Sequence, residues 1–205
     1  SRVKRVHERG AYDRESVYGV LDAGLLCHVG YVIDGQPYVT PTCYWRDGDR
    51  LYWHGSSASR MLRTLETGVP VCLTVSMLDG LVLARSGFHS SINYRSVMAY
   101  GTAKTVSDAD EKLAALVAFS ERLTPGRWDE LREANEQELK ATTVVAMAID
   151  EASTKIRTGG PNDDDEDYVL DIWAGVVPVT TVIGEPIVDE KLRPGIPMPD
   201  HVGAF

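Results

Sequence analysis

The sequence predicts a mainly β protein, an antiparallel barrel or sandwich with peripheral helices. Short apolar runs are joined by Asp34-Gly35 and Asp47-Gly48, dipeptides that supply the positive φ angles of tight hairpins. Strands linked by hairpins, with few helices between them, do not follow the alternating βαβ order of a doubly wound sheet. A glycine-rich dinucleotide fingerprint is also missing.

Asp13 to Gly24 reads as a first helix, with Asp13 as cap, Val17, Val20 and Leu21 as apolar stripe and Gly24 as stop. Strands are expected at Leu25 to Ile33, Gln36 to Trp45 and Arg50 to His54, forming a three-stranded meander. A Gly/Ser turn leads into a helix from Arg60 to Thr67, stopped by Gly68 and Pro70. Val71 to Met77 is a further strand, and Asp79-Gly80 is read as a turn towards Leu81 to Arg85. Asn93 to Val106 is a long or bent strand. Ser107-x-x-Asp110 caps an amphipathic helix over Ala109 to Leu123, Thr124-Pro125-Gly126 breaks it, and Trp128 to Leu139 is read as another helix. Thr142 to Asp150 returns to the sheet, and Val169 to Ile183, interrupted by Pro178, is expected to add a strand pair. One domain over residues 1–205 is expected, with a helical insert near 107–140 and a proline-containing extension over 184–205.

The chain has 205 residues, 43% of them hydrophobic and 25% charged, and a net charge of −9. No stretch of 18 apolar residues is present, so no membrane-spanning helix is expected. Nucleic acid requires a basic stripe, and the only basic cluster is the short segment Ser1 to Arg9, which lacks the apolar core of a secretory signal. Cys27, Cys43 and Cys72 are widely spaced, as in reduced proteins, and the cytoplasm is the expected compartment. The acidic run Asp163 to Asp167 reads as a solvated loop. No histidine pair has the spacing of two ligands on one helix face, so no metal site is expected. No serine lies in a nucleophile elbow.

Leu51 to Arg60 carries the strongest chemical signal. Gly55, Ser56, Ser57, Ala58 and Ser59 leave main-chain N–H groups uncovered, and three hydroxyls and the Arg60 guanidinium stand beside them. Converging donors with a permanent cation are what a phosphate ester needs. Thr40, Pro41 and Thr42 lie one hairpin earlier, where alternation sends Thr40 and Thr42 to one face with Tyr44. Tyr94, Arg95 and Ser96 form a second polar cluster, and Trp173 beside Ala174-Gly175 a third.

In order along the chain, these pieces resemble the pyridoxamine-phosphate-oxidase-like flavin-binding family, and its nitroimidazole-resistance-like branch more closely. The motifs are Asp13-Arg14-Glu15, Gly35-Gln36-Pro37-Tyr38-Val39-x-Pro41, Tyr52-x-His54-Gly55-Ser56 with Ser59-Arg60, Asn93-Tyr94-Arg95-Ser96-Val97, and Trp173-x-Gly175-x-x-Pro178. The resemblance implies an FMN-binding split β-barrel and a homodimer with flavin sites at the subunit interface. It also implies a flavin-dependent reductase or oxidase acting on a small organic molecule. Cofactor contacts are then expected from Thr40, Pro41, Thr42, His54, Gly55, Ser56, Ser57, Ser59, Arg60, Tyr94, Arg95, Ser96 and Trp173. The family's Ser-Arg-Lys phosphate segment falls on Ser59-Arg60-Met61, so one cation is absent, with Ser56, Ser57 or Arg63 as replacements. His54 falls where the branch carries a histidine near the flavin. Two other readings keep the fold: a deazaflavin-dependent reductase, and a non-catalytic flavin- or haem-binding protein with His28, His54 or His89 on the iron.

Overall fold

The computed structural model describes residues 10–203. The basic segment Ser1 to Arg9, which includes His7, lies outside them. Among the described residues there are nine strands in one antiparallel sheet: β1 (Gly10–Ala11), β2 (Leu26–Ile33), β3 (Gln36–Asp47), β4 (Arg50–Ser56), β5 (Val69–Leu83), β6 (Ser91–Thr105), β7 (Thr142–Ala148), β8 (Glu151–Arg157) and β9 (Gly175–Pro178). Four α-helices accompany them: α1 (Arg14–Ala23), α2 (Arg60–Leu65), α3 (Ala109–Leu123) and α4 (Glu136–Ala141).

Pairing closes β6, β7, β4, β3, β2 and β5 into a ring, because β6 pairs with β7 and also with β5. Closure satisfies strand edges that would otherwise stand open. The ring is split along one edge of β6. Its C-terminal residues Ala103 to Thr105 pair with β7, while Tyr94 to Tyr100 pair with β8. Gly101 stands at that handover. A Cβ there would collide with the Ala148 carbonyl and lie 2.7 Å from Met147 Cγ, so β7 can cross only over a glycine.

Alternation fills the barrel. Cys27, Val29 and Tyr31 of β2, Val71, Leu73 and Val75 of β5, and Val97 and Ala99 of β6 point inward and are buried. Burial pushes the Cys27 thiol up to about 12, so this cysteine behaves as a hydrophobe. Asp13 caps α1 by accepting from the Ser16 amide, as its sequence position suggests, and Val17, Val20 and Leu21 join the core. A second apolar cluster lies outside the ring, where α3 covers Trp45, Tyr52, Val144 and Ala146. No described helix is long and apolar enough to cross a membrane.

Several elements differ from expectation. Asp79-Gly80 is not a turn: β5 runs through it as a bulge between Leu78 and Gly80. Both edges of that segment are occupied, by Asn93 and Ile92 of β6 and by Pro178 and Val177 of β9, so the chain has partners for continuing. The helix expected over Trp128 to Leu139 breaks into a 3-10 turn (Trp128–Glu130) and α4. Asn135 starts α4 through a complete capping box with Glu138, and the Glu121 carboxylate ties down the Gly126 and Trp128 amides upstream. Strand β8 is absent from the sequence reading because Glu-Ala-Ser-Thr-Lys-Ile-Arg has only two apolar residues, Ala152 and Ile156, to signal its core-facing side. Its Ser153 and Thr154 are nevertheless buried by pairing with β6. Of the strand pair expected over Val169 to Ile183, only β9 forms.

Candidate functional site

The turn after β4 is set by pairing on both sides. His54, Gly55 and Ser56 pair with Val144, Thr143 and Thr142 of β7, and α2 then packs Met61, Leu62 and Leu65 into the core. Gly55 allows that approach, because a Cβ would stand 3.1 Å from Leu62 Cδ1. Part of the main-chain cradle expected here is already engaged. The Ser57 amide donates to the Ala141 carbonyl (2.8 Å), Ser59 N to the Ser56 carbonyl (2.8 Å) and Ala58 N to Ser56 Oγ (3.2 Å). The turn spends these amides on its own shape. What remains for a ligand is the uncapped first turn of α2 together with side chains: the half-buried hydroxyls of Ser57 and Ser59, the latter not used as a cap, and two arginines.

The Arg60 guanidinium lies 4.5 Å from the centroid of the Tyr38 ring. Tyr38 stacks on Tyr31 at 5.6 Å, and Tyr31 Oη is 3.0 Å from Thr40 Oγ1. This chain of contacts brings the turn and the Thr40 strand to one surface, which neither motif alone reveals. Thr42 is half-buried and donates to the Cys43 carbonyl, while Pro41 is exposed on the opposite face of β3. Tyr31 and Tyr38 were not among the expected site residues. Alternation from Thr40 back to Tyr38 was the available signal.

His54 faces the second cluster. Its ring sits edge-on to Phe119 of α3 (4.5 Å) and 5.8 Å from Trp45. His54 Nδ1 is buried without a hydrogen-bond partner, and burial holds the imidazole pKa below its ordinary value. Burial therefore favours the neutral ring, the form that ligates metals.

The other expected clusters are committed elsewhere. Arg95 forms two hydrogen bonds with Asp79, of 2.9 and 2.8 Å. Ser96 Oγ donates to the Lys155 carbonyl (3.2 Å), and Tyr94 of β6 is half-buried between Leu78 of β5 and Arg157 of β8. Trp173 is 68% exposed and folds back on Gly175, where a Cβ would lie 3.0 Å from its indole.

The acidic run is not wholly solvated. Asp163 is buried, accepts from the Arg85 amide and guanidinium (3.0 Å each) and approaches His89. Burial works against its ionisation, yet the Arg85 guanidinium and the Arg85 and Ser86 amides hold it below the ordinary carboxylate value. His89, Asp163 and Asp167 each bring one ligand atom within 4.8 Å of the others. Asp163 already gives its lone pairs to those donors, which argues against a cation there.

The family model described as pyridoxamine 5'-phosphate oxidase matches residues 13–156. Comparison with curated proteins finds no match. Among solved structures, the flavocytochrome Anf3 of Azotobacter vinelandii is 48% identical, with a TM-score of 0.94 over 99% of this chain and 94% of that one. The FAD and heme binding protein of Mycobacterium smegmatis is 41% identical, with a TM-score of 0.91 over 96% of each chain. A Bacteroides thetaiotaomicron protein described for 5-nitroimidazole antibiotic resistance shares the fold, with 22% identity and a TM-score of 0.58 over 72% of this chain and 87% of that one.

Proposed function

The chain belongs to the pyridoxamine 5'-phosphate oxidase family, and on that premise we propose that it is a flavin-dependent oxidoreductase of a small organic molecule that also holds haem. The observation that carries the reading is Arg60: an arginine without a carboxylate partner in a chain of net charge −9, laid over Tyr38 beside the Ser57 and Ser59 hydroxyls. Those groups fit the phosphate end of a flavin. One such ester is what FMN, the flavin expected from the sequence, presents. The half-buried Tyr38 ring, backed by the buried Tyr31, and the Thr40 hydroxyl offer an aromatic and polar wall beyond it.

Two relatives that match nearly the whole chain are described as a flavocytochrome and as a FAD and heme binding protein. His54 would be the histidine to hold the iron of such a group: burial favours its neutral form, it has no carboxylate neighbour, and it precedes the phosphate turn by two residues. Its Nδ1 is covered by protein, so the iron would meet the other ring nitrogen. The alternatives fit less well. His89 lies between Asp163 and Asp164, His201 faces Glu130, and His28 stands exposed on the outer face of β2. When bound, a flavin accepts electron pairs and haem iron single electrons. The protein's own part is to anchor the ester through Arg60, to present a neutral imidazole and to keep water from it with Phe119 and Trp45.

A second copy suits the outer face of the barrel. Register aligns Val39, Gly30, Cys72 and Tyr100, and next to them Pro41, His28, Thr74 and Met98, on the side away from the core. Val39 is 67% and Leu26 54% exposed there. An apolar sheet face of this kind marks a homodimer contact.

The test is an absorption spectrum of the purified protein, followed by two variants. Flavin and Soret bands together are expected. Arg60→Ala should lose the flavin bands and His54→Ala the Soret band, each with the other group retained. A protein that takes up neither flavin nor haem on titration ends the reading.

A further inference from the structure

We infer that residues 179–203 form a dimerisation arm, and that a second copy of this chain covers the apolar side chains the arm holds away from its own barrel. This rests on the homodimer reading above and adds to it which segment, outside the sheet, joins the two copies.

The arm has a set shape yet buries almost nothing. Every residue from 180 to 198 is exposed, although the run includes Val182, Ile183, Ile187, Val188 and Met198. Ile187 is 97% and Val182 80% exposed. Both ends are held. The Val179 amide donates to the Asp79 carbonyl (3.1 Å), and His201 Nε2 lies 3.5 Å from Glu130 Oε2. Between them the Leu192 amide donates to the Asp189 carbonyl (2.9 Å), and a Cβ on Gly203 would stand 3.6 Å from Pro186 Cγ, so the chain loops back on itself. The loop leaves an open hollow of about 910 Å³ against Thr124, Arg127 and Glu130, with Ile187, Leu192, Ile196 and Met198 on its other side. Apolar surface kept in one shape but left uncovered marks a contact.

Two observations assign that contact to a second copy. Strand β9 runs antiparallel to β5 from Leu83 to Gly80, so the arm leaves it heading for Leu78. Register and alternation put the exposed Leu78, Leu81, Ile92 and Val177 on the same outer face as Met98 and His28. The arm therefore springs from the surface proposed for the homodimer. Charge is the second observation. Four carboxylates and two cations on the arm disfavour nucleic acid and anionic lipid. A two-fold contact instead needs a self-complementary patch, and the adjacent, exposed Glu190, Lys191 and Arg193 supply both signs for one.

The experiment is analytical ultracentrifugation of the full chain, of Val182→Glu/Ile187→Glu and of Val39→Glu. Both arm positions are exposed in the single chain, so their substitution leaves its core intact, which circular dichroism checks. The parent should dimerise. The arm variant should weaken the dimer by about tenfold or more, because each change counts twice across a two-fold axis. A photoreactive benzoylphenylalanine in place of Ile187, in an exchanged mixture of isotope-labelled and unlabelled chains, should crosslink heavy chains to light ones. Unchanged dimer affinity in the arm variant, or no crosslink between heavy and light chains, overturns the arm, while a dimer lost in Val39→Glu keeps the sheet-face reading. A parent that stays monomeric overturns both. If that monomer binds phosphatidylcholine vesicles and the arm variant does not, the surface belongs to lipid and the arm is again overturned.

Discussion

Arg95 and Asp79 face each other across β6 and β5 in a two-pronged pair, with Nε and Nη2 at 2.9 and 2.8 Å from the two carboxylate oxygens. Asp79 sits in the β5 bulge, so the pair pins the one irregular point of the longest hairpin. Hydrogen bonding from Arg95 lowers the Asp79 pKa. A carboxylate whose folded pKa is depressed contributes stability above its unfolded value, and that stability is lost as pH falls through the folded one. Arg95→Ala should therefore cost about 1 kcal/mol at neutral pH, a modest figure because the pair is partly exposed. The difference from the parent should vanish below the folded Asp79 pKa. Urea melts at pH 7 and at a series of descending pH values check both parts.

Asp163 anchors the segment between β8 and β9 to the Arg85 loop. Asp163→Asn should keep the fold but loosen residues 158–174, because the amide cannot accept from both Arg85 amide and guanidinium as a charged group does. Limited proteolysis should cut this segment faster in the variant. Since the folded Asp163 pKa is lowered, the parent should show the same loosening as pH drops through that value.

Met61→Lys restores the cation of the related Ser-Arg-Lys segment. Met61 is 6% exposed and packs in the barrel core, so the substitution buries an ammonium. Expected is a loss of about 2–4 kcal/mol without a gain in flavin affinity. Tighter flavin binding by a stably folded variant would show that the ester lies on the other side of α2.

Gly101→Ala tests the split. The added methyl meets the Ala148 carbonyl and the Met147 side chain, and backbone must move to admit it. A loss of about 3 kcal/mol is expected in chemical denaturation. Gly35→Ala, in open space but at positive φ, should cost only about 1 kcal/mol.

The parts legible in the sequence were those encoded by neighbours along the chain. The Asp34-Gly35 and Asp47-Gly48 hairpins, the Asp13 cap of α1 and the bounds of α3 follow from local turn chemistry and periodicity, and the structure has them in place, although Asp108, accepting from the Glu111 amide, caps α3 where Ser107 was expected. The same local signals failed where distant partners compete. Asp79-Gly80 carries a hairpin dipeptide, yet β6 and β9 keep the chain extended there. Glu151 to Arg157 carries only two apolar residues, yet a waiting β6 edge makes it a strand.

For the candidate site, the sequence by itself determined the inventory: a serine-rich turn, Arg60, His54 and the threonines of β3. Only the tertiary structure decided which of these groups are free. Arg95 and the Ser57 to Ser59 amides are consumed by partners inside the protein, whereas the Arg60 guanidinium meets only the Tyr38 ring, Arg63 spends only its Nε, and His54 Nδ1 is buried without a hydrogen-bond partner. The physical reason is that hydrogen-bonding capacity is finite, and pairing across β5–β6, β4–β7 and the α3 cover spends it between residues far apart in the chain.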